Sequence, residues 1–326
     1  MPESPLPEST EILYRRMRTI RSFEEWVVTL VNTGEIAGAT HEYTGQEAVA
    51  VGVCAQLTSV DAITSTHRGH GHLIAKGASV PAMMAELMGR ATGLNRGRGG
   101  SMHAADLSLG ILGANGIVAA GAPIAAGAAW ASRASGSGGV AVTFFGDGGV
   151  NQGVLAETMN LASIWKLPMI FACENNGFAV TLRADTAIAG SMVARAQAYD
   201  MWAETVDGMD VDAVSRATAA AVARARAGEG PSYLEFGTYR FVGHNTGEKY
   251  LGLSYRTDDE IGEWRVRDPL DRTGAQLADG RRAAIDQEVA EALEEAVAFA
   301  RASPPPDPSD AFAYNYADLT PRAGAR

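Results

Sequence analysis

Two polar side chains, Asp147 and Asn176, directly follow two apolar stretches of the kind that form buried strands. The stretches are residues 140–145 and 169–173, and residues 151–165 between them have the apolar spacing of a helix. Strand, helix and strand in this order form a βαβ unit, whose strands run parallel and are joined by a right-handed crossover. Ligands of open parallel sheets bind beyond the carboxyl ends of the strands. Both side chains are therefore expected to face one crevice.

The types of these residues predict what the crevice binds. A carboxylate and an amide oxygen suit a hard cation such as Mg²⁺, which keeps phosphate oxygens in its octahedral shell. Asp147 stands in the sequence GDGG, where Gly148 and Gly149 let the backbone approach a phosphate and the next helix offers N–H groups. Gly-Asp-Gly alone is also ordinary turn chemistry. Combined with Asn176 at the next strand end, it indicates a site for a diphosphate and its metal ion.

The remaining chain supplies the elements that must position this unit. Helical spacing is present at residues 10–32, 46–57, 121–134, 210–227 and 281–302. Further strands are indicated just after residue 61 and at residues 233–239. Loops are predicted for the glycine- and histidine-rich residues up to 77, for residues 90–103 and for residues 240–256.

These elements predict an α/β fold, in which a parallel sheet has helices on both faces. We expect residues 10–302 to form one domain. A flexible tail is expected at residues 1–9 and a proline-rich tail at residues 303–326.

Composition restricts the class of protein. Acidic residues outnumber basic ones by 38 to 27, the net charge is −11, and no basic run marks a nucleic-acid surface. No apolar stretch reaches the roughly 18 residues that a membrane helix needs, and the proline-rich, acidic start is unlike a secretory signal. Cys54 and Cys173 stand among apolar residues and are expected to be buried thiols. We therefore predict a cytoplasmic protein that binds neither nucleic acid nor membrane.

Longer stretches of the chain resemble one known family. The sequence GDGGVNQGVLAETMNLASIWKLPMIFACENNGFAV resembles the alpha subunits of the decarboxylating components of pyruvate and acetoin dehydrogenases, and GDG followed by NN is the thiamine-diphosphate motif of that family. The resemblance covers roughly residues 10–300 and extends to the stretches HEYTGQEAVAVG, STHRGHGHLIAKG, GRGGSMHAAD, GANGIVAAGAP and TYRFVGHN. The spelling STHRGHGH is closer to acetoin dehydrogenases.

The resemblance implies the diphosphate-binding half of a thiamine-diphosphate fold, with thiamine diphosphate and Mg²⁺ as cofactors. The implied cofactor-binding residues are His67, Arg68, Gly116, Val118, Gly146, Asp147, Gly148, Gly149, Asn176, Phe178 and His244. Among these, Asp147, Asn176 and the Phe178 carbonyl would be the magnesium ligands. His67 stands where many pyruvate enzymes have Tyr.

The other implied roles follow the same resemblance. Arg68 would bind the diphosphate, and backbone groups of Gly116 and Val118 would meet the aminopyrimidine ring. His244 would be the catalytic residue, because an imidazole at the reacting end of the cofactor can donate or accept a proton.

The resemblance also implies partners. The enzyme would act only with a beta subunit, in an α2β2 assembly with the site between the two chains. It would cleave a 2-oxo acid or acetoin and pass the acyl unit to a lipoyl group on a separate acyltransferase. The carboxylate that activates the cofactor would come from the beta chain, so Glu47 is expected to be structural.

Two other interpretations remain open at this point. Residues 245–254 differ from the Ser-x-Ser-Asp-Pro loop of pyruvate enzymes, and Ala39 is small where those enzymes are bulky, so a split transketolase-like or carboligase subunit is an alternative. A non-catalytic, diphosphate-binding scaffold is the second. The loop at residues 245–254 is expected to become ordered when the cofactor binds.

The remaining histidines are less specific. His70 and His72 lack a third ligand at metal-binding spacing and are predicted to be hydrogen-bonding loop residues. His41 and His103 either line the site or have structural roles.

Overall fold

Five parallel strands form the central sheet in a computed structural model that describes residues 8–248, 252 and 255–312. The strands are β1 (Ala62–Thr64), β2 (Ala141–Gly146), β3 (Met169–Asn175), β6 (Trp202–Asp207) and β7 (Ser232–Gly237). Their order across the sheet is β1-β2-β3-β7-β6. A separate antiparallel pair, β4 (Phe178–Ala179) and β5 (Leu182–Arg183), follows β3 directly.

The strand register places the functional loops at one edge of the sheet. Gly146 pairs with Glu174, and Asn175 pairs with Gly237, so β2, β3 and β7 end at nearly the same level. Each of these strands is followed at once by polar residues. The loops after the three strands are therefore neighbours in space.

Helices surround the sheet. They are α1 (Thr10–Asn32), α2 (Glu47–Cys54), α3 (His70–Ala75), α4 (Val80–Leu87), α5 (Gly121–Ser135), α6 (Gly153–Ile164), α7 (Ala184–Ala187), α8 (Met192–Gln197), α9 (Val211–Arg226), α10 (Asp258–Arg265), α11 (Pro269–Gly274) and α12 (Arg281–Ala302). Short 3₁₀ turns occur at Gly100–Met102, Leu107–Leu109, Asp147–Gly149 and Pro308–Phe312.

The side chains of β2 and β3 alternate between two apolar clusters, one on each face of the sheet. Val142 and Phe144 pack with α1, α2, α9 and α12, whereas Ala141 and Phe145 pack with α5, α6 and α8. Because both faces are covered, the central strands are apolar along almost their whole length. The predicted α/β fold class, a parallel sheet with helices on both faces, is confirmed.

Most predicted elements are present. The bounds of α1 and α12 match the predicted helices, and α9 begins after Asp210, whose side chain accepts the N–H groups of Asp212 and Ala213. The other predicted helices and strands lie within a few residues of their expected bounds.

Several elements differ from the prediction or were not predicted. The predicted loop around His70 and His72 is wrong, since both residues belong to α3. Polar residues at these positions suggested an exposed loop. Both side chains are instead buried in hydrogen-bonded networks, so the helix was missed. Strand β6 was missed because it is an edge strand with the mixed sequence WAETVD. The helices α4, α7, α8, α10 and α11 also had no prediction.

Some predictions lie outside the described residues. These concern residues 1–7 and 313–326 of the expected tails, and residues 249–251 and 253–254 of the loop after His244. Within the described part of the chain, no helix combines the length and the apolar character required to cross a membrane.

Candidate active site

A cavity of about 310 Å³ opens at the carboxyl ends of β1, β2, β3 and β7. All the residues that the sequence analysis assigned to the cofactor line it. They are His67, Arg68, Gly116, Val118, Gly146, Asp147, Gly148, Gly149, Asn176, Phe178 and His244. The structure therefore brings together residues from five separate stretches of the chain.

Asp147 is buried in this cavity, and its carboxylate makes no hydrogen bond to a described residue. Only 1% of the residue is exposed. Burial raises the pKa of this carboxyl to about 6, although its own backbone N–H, the positive charge of Arg240 and the nearby backbone N–H groups of Asn176 and Phe178 partly oppose the shift. An unpaired buried carboxylate is costly, and a cation coordinated by its oxygens would remove that cost.

Asn176 is held in a defined orientation beside this carboxylate. Its side-chain N–H donates to Gln46 Oε1 over 3.0 Å, and its Oδ1 accepts the backbone N–H of Phe178 over 3.2 Å. The second lone pair of Oδ1 remains available to a metal ion. The oxygen donors of Asp147 and Asn176 are those that Mg²⁺ prefers, so the donor set fits the expected ion.

The glycines around Asp147 leave room in the cavity for a ligand. A Cβ atom on Gly148 would lie 2.8 Å from the Cβ of Ala179, so no side chain fits there. At Gly146 and Gly149 the nearest protein atoms would lie 3.9 and 3.5 Å from such a Cβ, which is ordinary contact. The surrounding protein atoms would therefore allow a side chain at Gly146 and at Gly149. Close approach of a bound diphosphate would explain why both positions are glycine.

Two buried arginines line the cavity. Both terminal nitrogens of Arg68 already donate to backbone carbonyls, Nη1 to Glu42 and Nη2 to His244 over 2.8 Å. Burial lowers the pKa of Arg68 to about 10. In Arg240, Nη2 donates to the Val180 carbonyl over 2.8 Å, but Nε and Nη1 have no partner among the described residues.

The sequence analysis assigned no role to Arg240, yet its free N–H groups are the better placed to bind an anion. A signal was present, because Arg240 follows the last strand of the sheet as Asp147 and Asn176 follow theirs. The same strand-end rule would have found it.

Three imidazole rings meet at one side of the cavity. The ring centres of His41 and His67 are 4.7 Å apart, those of His41 and His244 are 4.9 Å apart, and those of His67 and His244 are 5.3 Å apart. Burial is the main cause that lowers their pKa values, to about 2 for His41, about 3 for His67 and about 4 for His244. The rings are therefore neutral at pH 7. The structure places His41 in the lining, whereas His103 is exposed and lies outside it.

Two other histidines, His70 and His72, are buried in hydrogen-bonded networks next to the cavity. His72 contacts Glu174 Oε1 through Nε2 at 3.1 Å and Ser65 Oγ through Nδ1 at 2.8 Å, and the Tyr43 hydroxyl donates to the same carboxylate. His70 lies between a Glu24 carboxylate oxygen at 3.0 Å and Ser101 Oγ at 2.9 Å.

Two further expectations agree with the structure. Glu47 pairs with Arg21 and accepts the N–H of Gly45, so its role is structural. Cys54 and Cys173 are free, buried thiols.

The segment that carries His244 is tied to the loop before α2. The backbone N–H of Thr246 donates to the Thr40 carbonyl over 3.0 Å, and the two hydroxyl groups are also hydrogen-bonded. Glu248 accepts the backbone N–H of His244 and the Tyr255 hydroxyl. These contacts hold the His244 backbone on both sides.

Comparison with known proteins gives a consistent result. A family model described as dehydrogenase E1 component matches residues 15–309. The chain is 46% identical over 304 residues to the alpha subunit of acetoin:2,6-dichlorophenolindophenol oxidoreductase from Bacillus subtilis, covering 91% of this chain and 90% of the relative. It is 45% identical to the Cupriavidus necator protein of the same name, covering 94% of each chain. It is 39% identical to the alpha subunit of the pyruvate dehydrogenase E1 component of Rhizobium meliloti, covering 92% of this chain and 87% of the relative.

Proposed function

Because the chain belongs to the family of dehydrogenase E1 components, we propose that it is the alpha subunit of a two-chain enzyme that cleaves acetoin or a 2-oxo acid. Members of this family depend on thiamine diphosphate, and the predicted class of enzyme is confirmed by the family match. One observation carries the proposal furthest. The cavity holds a buried carboxylate without hydrogen-bond partners among the described residues, Asp147, and a buried guanidinium, Arg240, whose Nε and Nη1 have none. Adjacent sites for a cation and an anion match a diphosphate with its magnesium ion.

Different residues would bind different parts of the cofactor. Asp147, Asn176 and the Phe178 carbonyl would coordinate Mg²⁺. The free N–H groups of Arg240 would bind the diphosphate, with Arg68 beside them. Backbone groups of Gly116 and Val118 would contact the aminopyrimidine ring. When bound, thiamine diphosphate supplies a nucleophilic carbon and an electron sink for cleaving the bond next to the substrate carbonyl.

The protein contributes binding, orientation and proton transfer. The imidazoles of His244, His41 and His67 are neutral, so each has one ring nitrogen that accepts a proton and one that donates. We propose that His244 transfers the proton to or from the substrate oxygen. Hydrogen bonds to Arg68 and Glu248 fix the backbone of this residue. Burial of these rings excludes water, which strengthens every polar interaction within the cavity.

Acetoin is the substrate that we favour over a 2-oxo acid. The relatives at 46% and 45% identity carry acetoin in their names, whereas relatives at 34% to 40% identity are named for pyruvate dehydrogenase. The cleaved acyl unit would pass to a lipoyl group on a separate acyltransferase.

A beta subunit is required to complete the site. Among the described lining residues the carboxylates are Asp147 and Glu174, and Glu174 is engaged by Tyr43 and His72. Neither lining carboxylate is left to activate the aminopyrimidine ring, which supports the proposal that a partner chain supplies one. Apolar side chains at the cavity support this, since Ile117 is 71%, Val118 is 47% and Val180 is 51% exposed.

Assembly, location and domain structure complete the proposal. We propose an α2β2 assembly in the cytoplasm, and two unpaired cysteines suit a reducing compartment. Residues 10–302 would form one domain, because one apolar cluster includes side chains from α1 through to α12.

The metal site can be tested by replacing Asp147 with Ala in the assembled complex with the beta chain. Calorimetry should show loss of thiamine diphosphate binding in the presence of Mg²⁺, because the charged ligand is gone. An Asp259→Ala variant, changed at an exposed aspartate of α10, should bind normally. Unchanged affinity in Asp147→Ala would contradict the assignment.

The reaction itself is tested separately with the wild-type complex and a dye as electron acceptor. Acetoin should be consumed with a higher kcat/KM than pyruvate. Transfer of a ketol unit to an aldehyde without dye reduction would favour the carboligase interpretation. Cofactor binding without any turnover would favour the scaffold.

A further inference from the structure

The turn between β4 and β5 holds Val180 in a backbone conformation that suits its residue type poorly. Ala179 pairs with Leu182, so the loop of this hairpin consists of Val180 and Thr181. The φ angle of Val180 is +56°. Such short hairpin loops often require a positive φ, but they favour glycine, asparagine or aspartate there. For a β-branched residue a positive φ is strained, and the strain costs the free protein stability.

Val180 differs from the other non-glycine residues that have a positive φ. Among the described residues these are Arg96, Ala119, Lys166 and Asp200. None of these is β-branched, so Val180 has the least favourable combination of side chain and backbone. Strain of this kind persists where the surrounding structure enforces it, and it is concentrated at active sites and ligand-binding segments. The strain is therefore a reason to expect a function for Val180.

The strained turn brings two groups of Val180 to the cavity. The Val180 carbonyl accepts a hydrogen bond from Nη2 of Arg240 over 2.8 Å, and both residues line the cavity. Val180 is also 51% exposed, so much of its side chain contacts no other part of this chain. The hydrogen bond to Arg240 uses only the backbone, and glycine or asparagine would accept it without strain. A requirement for the isopropyl group explains why valine is present instead.

Leu182, in the same hairpin, helps to identify what the isopropyl group contacts. Leu182 is 54% exposed, has no positive φ and is not among the described residues that line the cavity. It therefore offers an apolar contact to a partner chain without strain. It offers no such contact inside the cavity. The need for an apolar side chain at residue 180 thus arises from the cavity.

We propose that Val180 is a ligand-contact residue, whose isopropyl group packs against the organic part of the molecules that bind in the cavity. These are the rings of thiamine diphosphate or the methyl groups of a short ketol such as acetoin, so the contact rests on the proposed function. Ligand binding removes the exposed isopropyl surface from water. Burial of a valine side chain in this way changes the affinity of a ligand by about 10-fold.

The strain is tested by thermal unfolding of the cofactor-free complex of this chain with its beta chain. Val180→Asn and Val180→Gly both supply residue types that tolerate a positive φ. A rise of about 2 °C or more in the unfolding midpoint is expected, because the strain is relieved. Leu182→Asn removes an apolar side chain of similar exposure from the same hairpin and should not raise the midpoint. A midpoint that rises in neither Val180 variant overturns the strain.

The ligand contact is tested in the same variants by calorimetry and by steady-state kinetics. A contact with the cofactor predicts that the dissociation constant of thiamine diphosphate, measured with Mg²⁺, rises by about 10-fold in both Val180 variants. A contact with the substrate leaves that constant unchanged and raises KM by a similar factor, for the better substrate of acetoin and pyruvate. Leu182→Asn should leave both quantities at their wild-type values. Greater stability together with weaker binding is a result that a purely structural role for Val180 does not give.

The remaining outcomes overturn the proposal. Wild-type values of the dissociation constant and of KM in the Val180 variants remove the ligand contact. If these variants instead assemble more weakly with the beta chain in a titration of the two chains, the isopropyl group belongs to the subunit interface. A wild-type complex that neither binds thiamine diphosphate nor consumes acetoin or a 2-oxo acid contradicts the proposed function and removes the ligand contact with it. The unfolding midpoints then still decide whether Val180 is strained.

Discussion

At the scale of single residues, charged groups in the cavity keep polar atoms without partners, whereas a buried arginine outside it is fully paired. Asp147 and Arg240 are buried with unpaired polar atoms, whereas Arg21, which is also buried, pairs with Glu47 and Asp268. Burying an unpaired charge costs stability. The protein therefore bears a cost at Asp147 and Arg240 that binding of the cofactor removes.

This contrast predicts opposite effects for two similar substitutions. Arg240→Met should weaken thiamine diphosphate binding by about 10- to 100-fold, because a charge-assisted hydrogen bond contributes about 1.5–3 kcal/mol. It should leave the stability of the cofactor-free complex almost unchanged. Arg21→Met should lower the free energy of unfolding by about 3–5 kcal/mol, because it leaves two carboxylates buried without their partner.

Calorimetry and thermal denaturation of both variants, each as the αβ complex, measure the two effects. Strong destabilisation by Arg240→Met would show that its guanidinium is structural. Unaltered cofactor affinity in that variant would remove it from the diphosphate site.

At the scale of elements, buried carboxylates organise the loops that reach the cavity. Glu86, in the last turn of α4, is fully buried and accepts the backbone N–H groups of Asn95, Gly97, Gly99 and Gly100. This loop delivers Ser101 to His70 and Met102 to the cavity lining. A glycine-rich loop without regular structure is thus held in one conformation by one side chain.

Replacing Glu86 with Gln should therefore destabilise the protein by about 2–4 kcal/mol, since an amide cannot accept hydrogen bonds on both of its polar atoms. Glu294→Gln changes an exposed residue of α12 and should have an effect below about 0.5 kcal/mol. The thermal unfolding midpoint of each complex provides the comparison. Equal midpoints for the two variants would mean that the loop does not depend on Glu86.

The loop after His244 is expected to respond to the cofactor. In the cofactor-free αβ complex, hydrogen exchange within residues 241–256 should already be slow at Phe241 and Thr246, whose N–H groups donate to the carbonyls of Thr44 and Thr40. Addition of thiamine diphosphate and Mg²⁺ should slow exchange through this stretch, because the ligand offers contacts on which the loop can close. If protection rises near Asp147 but not in residues 241–256, the loop does not respond to the cofactor.

At the scale of the whole molecule, the chain forms one part of a site that we propose a second chain completes. The cavity contains the groups for the diphosphate and the metal ion, but its described carboxylates are both committed, and apolar residues border it. Catalysis by this chain alone would lack a group to activate the cofactor.

The purified chain is therefore expected to show no turnover of acetoin or a 2-oxo acid with thiamine diphosphate, Mg²⁺ and an artificial electron acceptor. Addition of the beta chain should restore activity, with an optimum at equal amounts of the two chains. Substantial turnover by the chain alone would refute a site shared between subunits.

The sequence by itself determined the features that depend on residues close together along the chain. The apolar runs of β2 and β3, the turn residues after them and the helical spacing of α1 and α12 depend on local chemistry, so the fold class and the Asp147–Asn176 pair were predictable. Edge strand β6 was not, because it pairs with a strand on one edge only and its residue pattern is mixed.

Only the tertiary structure decided which distant groups meet and which keep free polar atoms. Arg68 is occupied by carbonyl groups while Arg240 has N–H groups to spare, although the two look equivalent as isolated arginines in the sequence. The cluster of the imidazoles of His41, His67 and His244 likewise joins segments separated by up to about two hundred residues, because the entropy cost of closing a loop grows only slowly with its length. Burial and hydrogen-bond partners arise from packing between elements, and no local pattern of residue types specifies them.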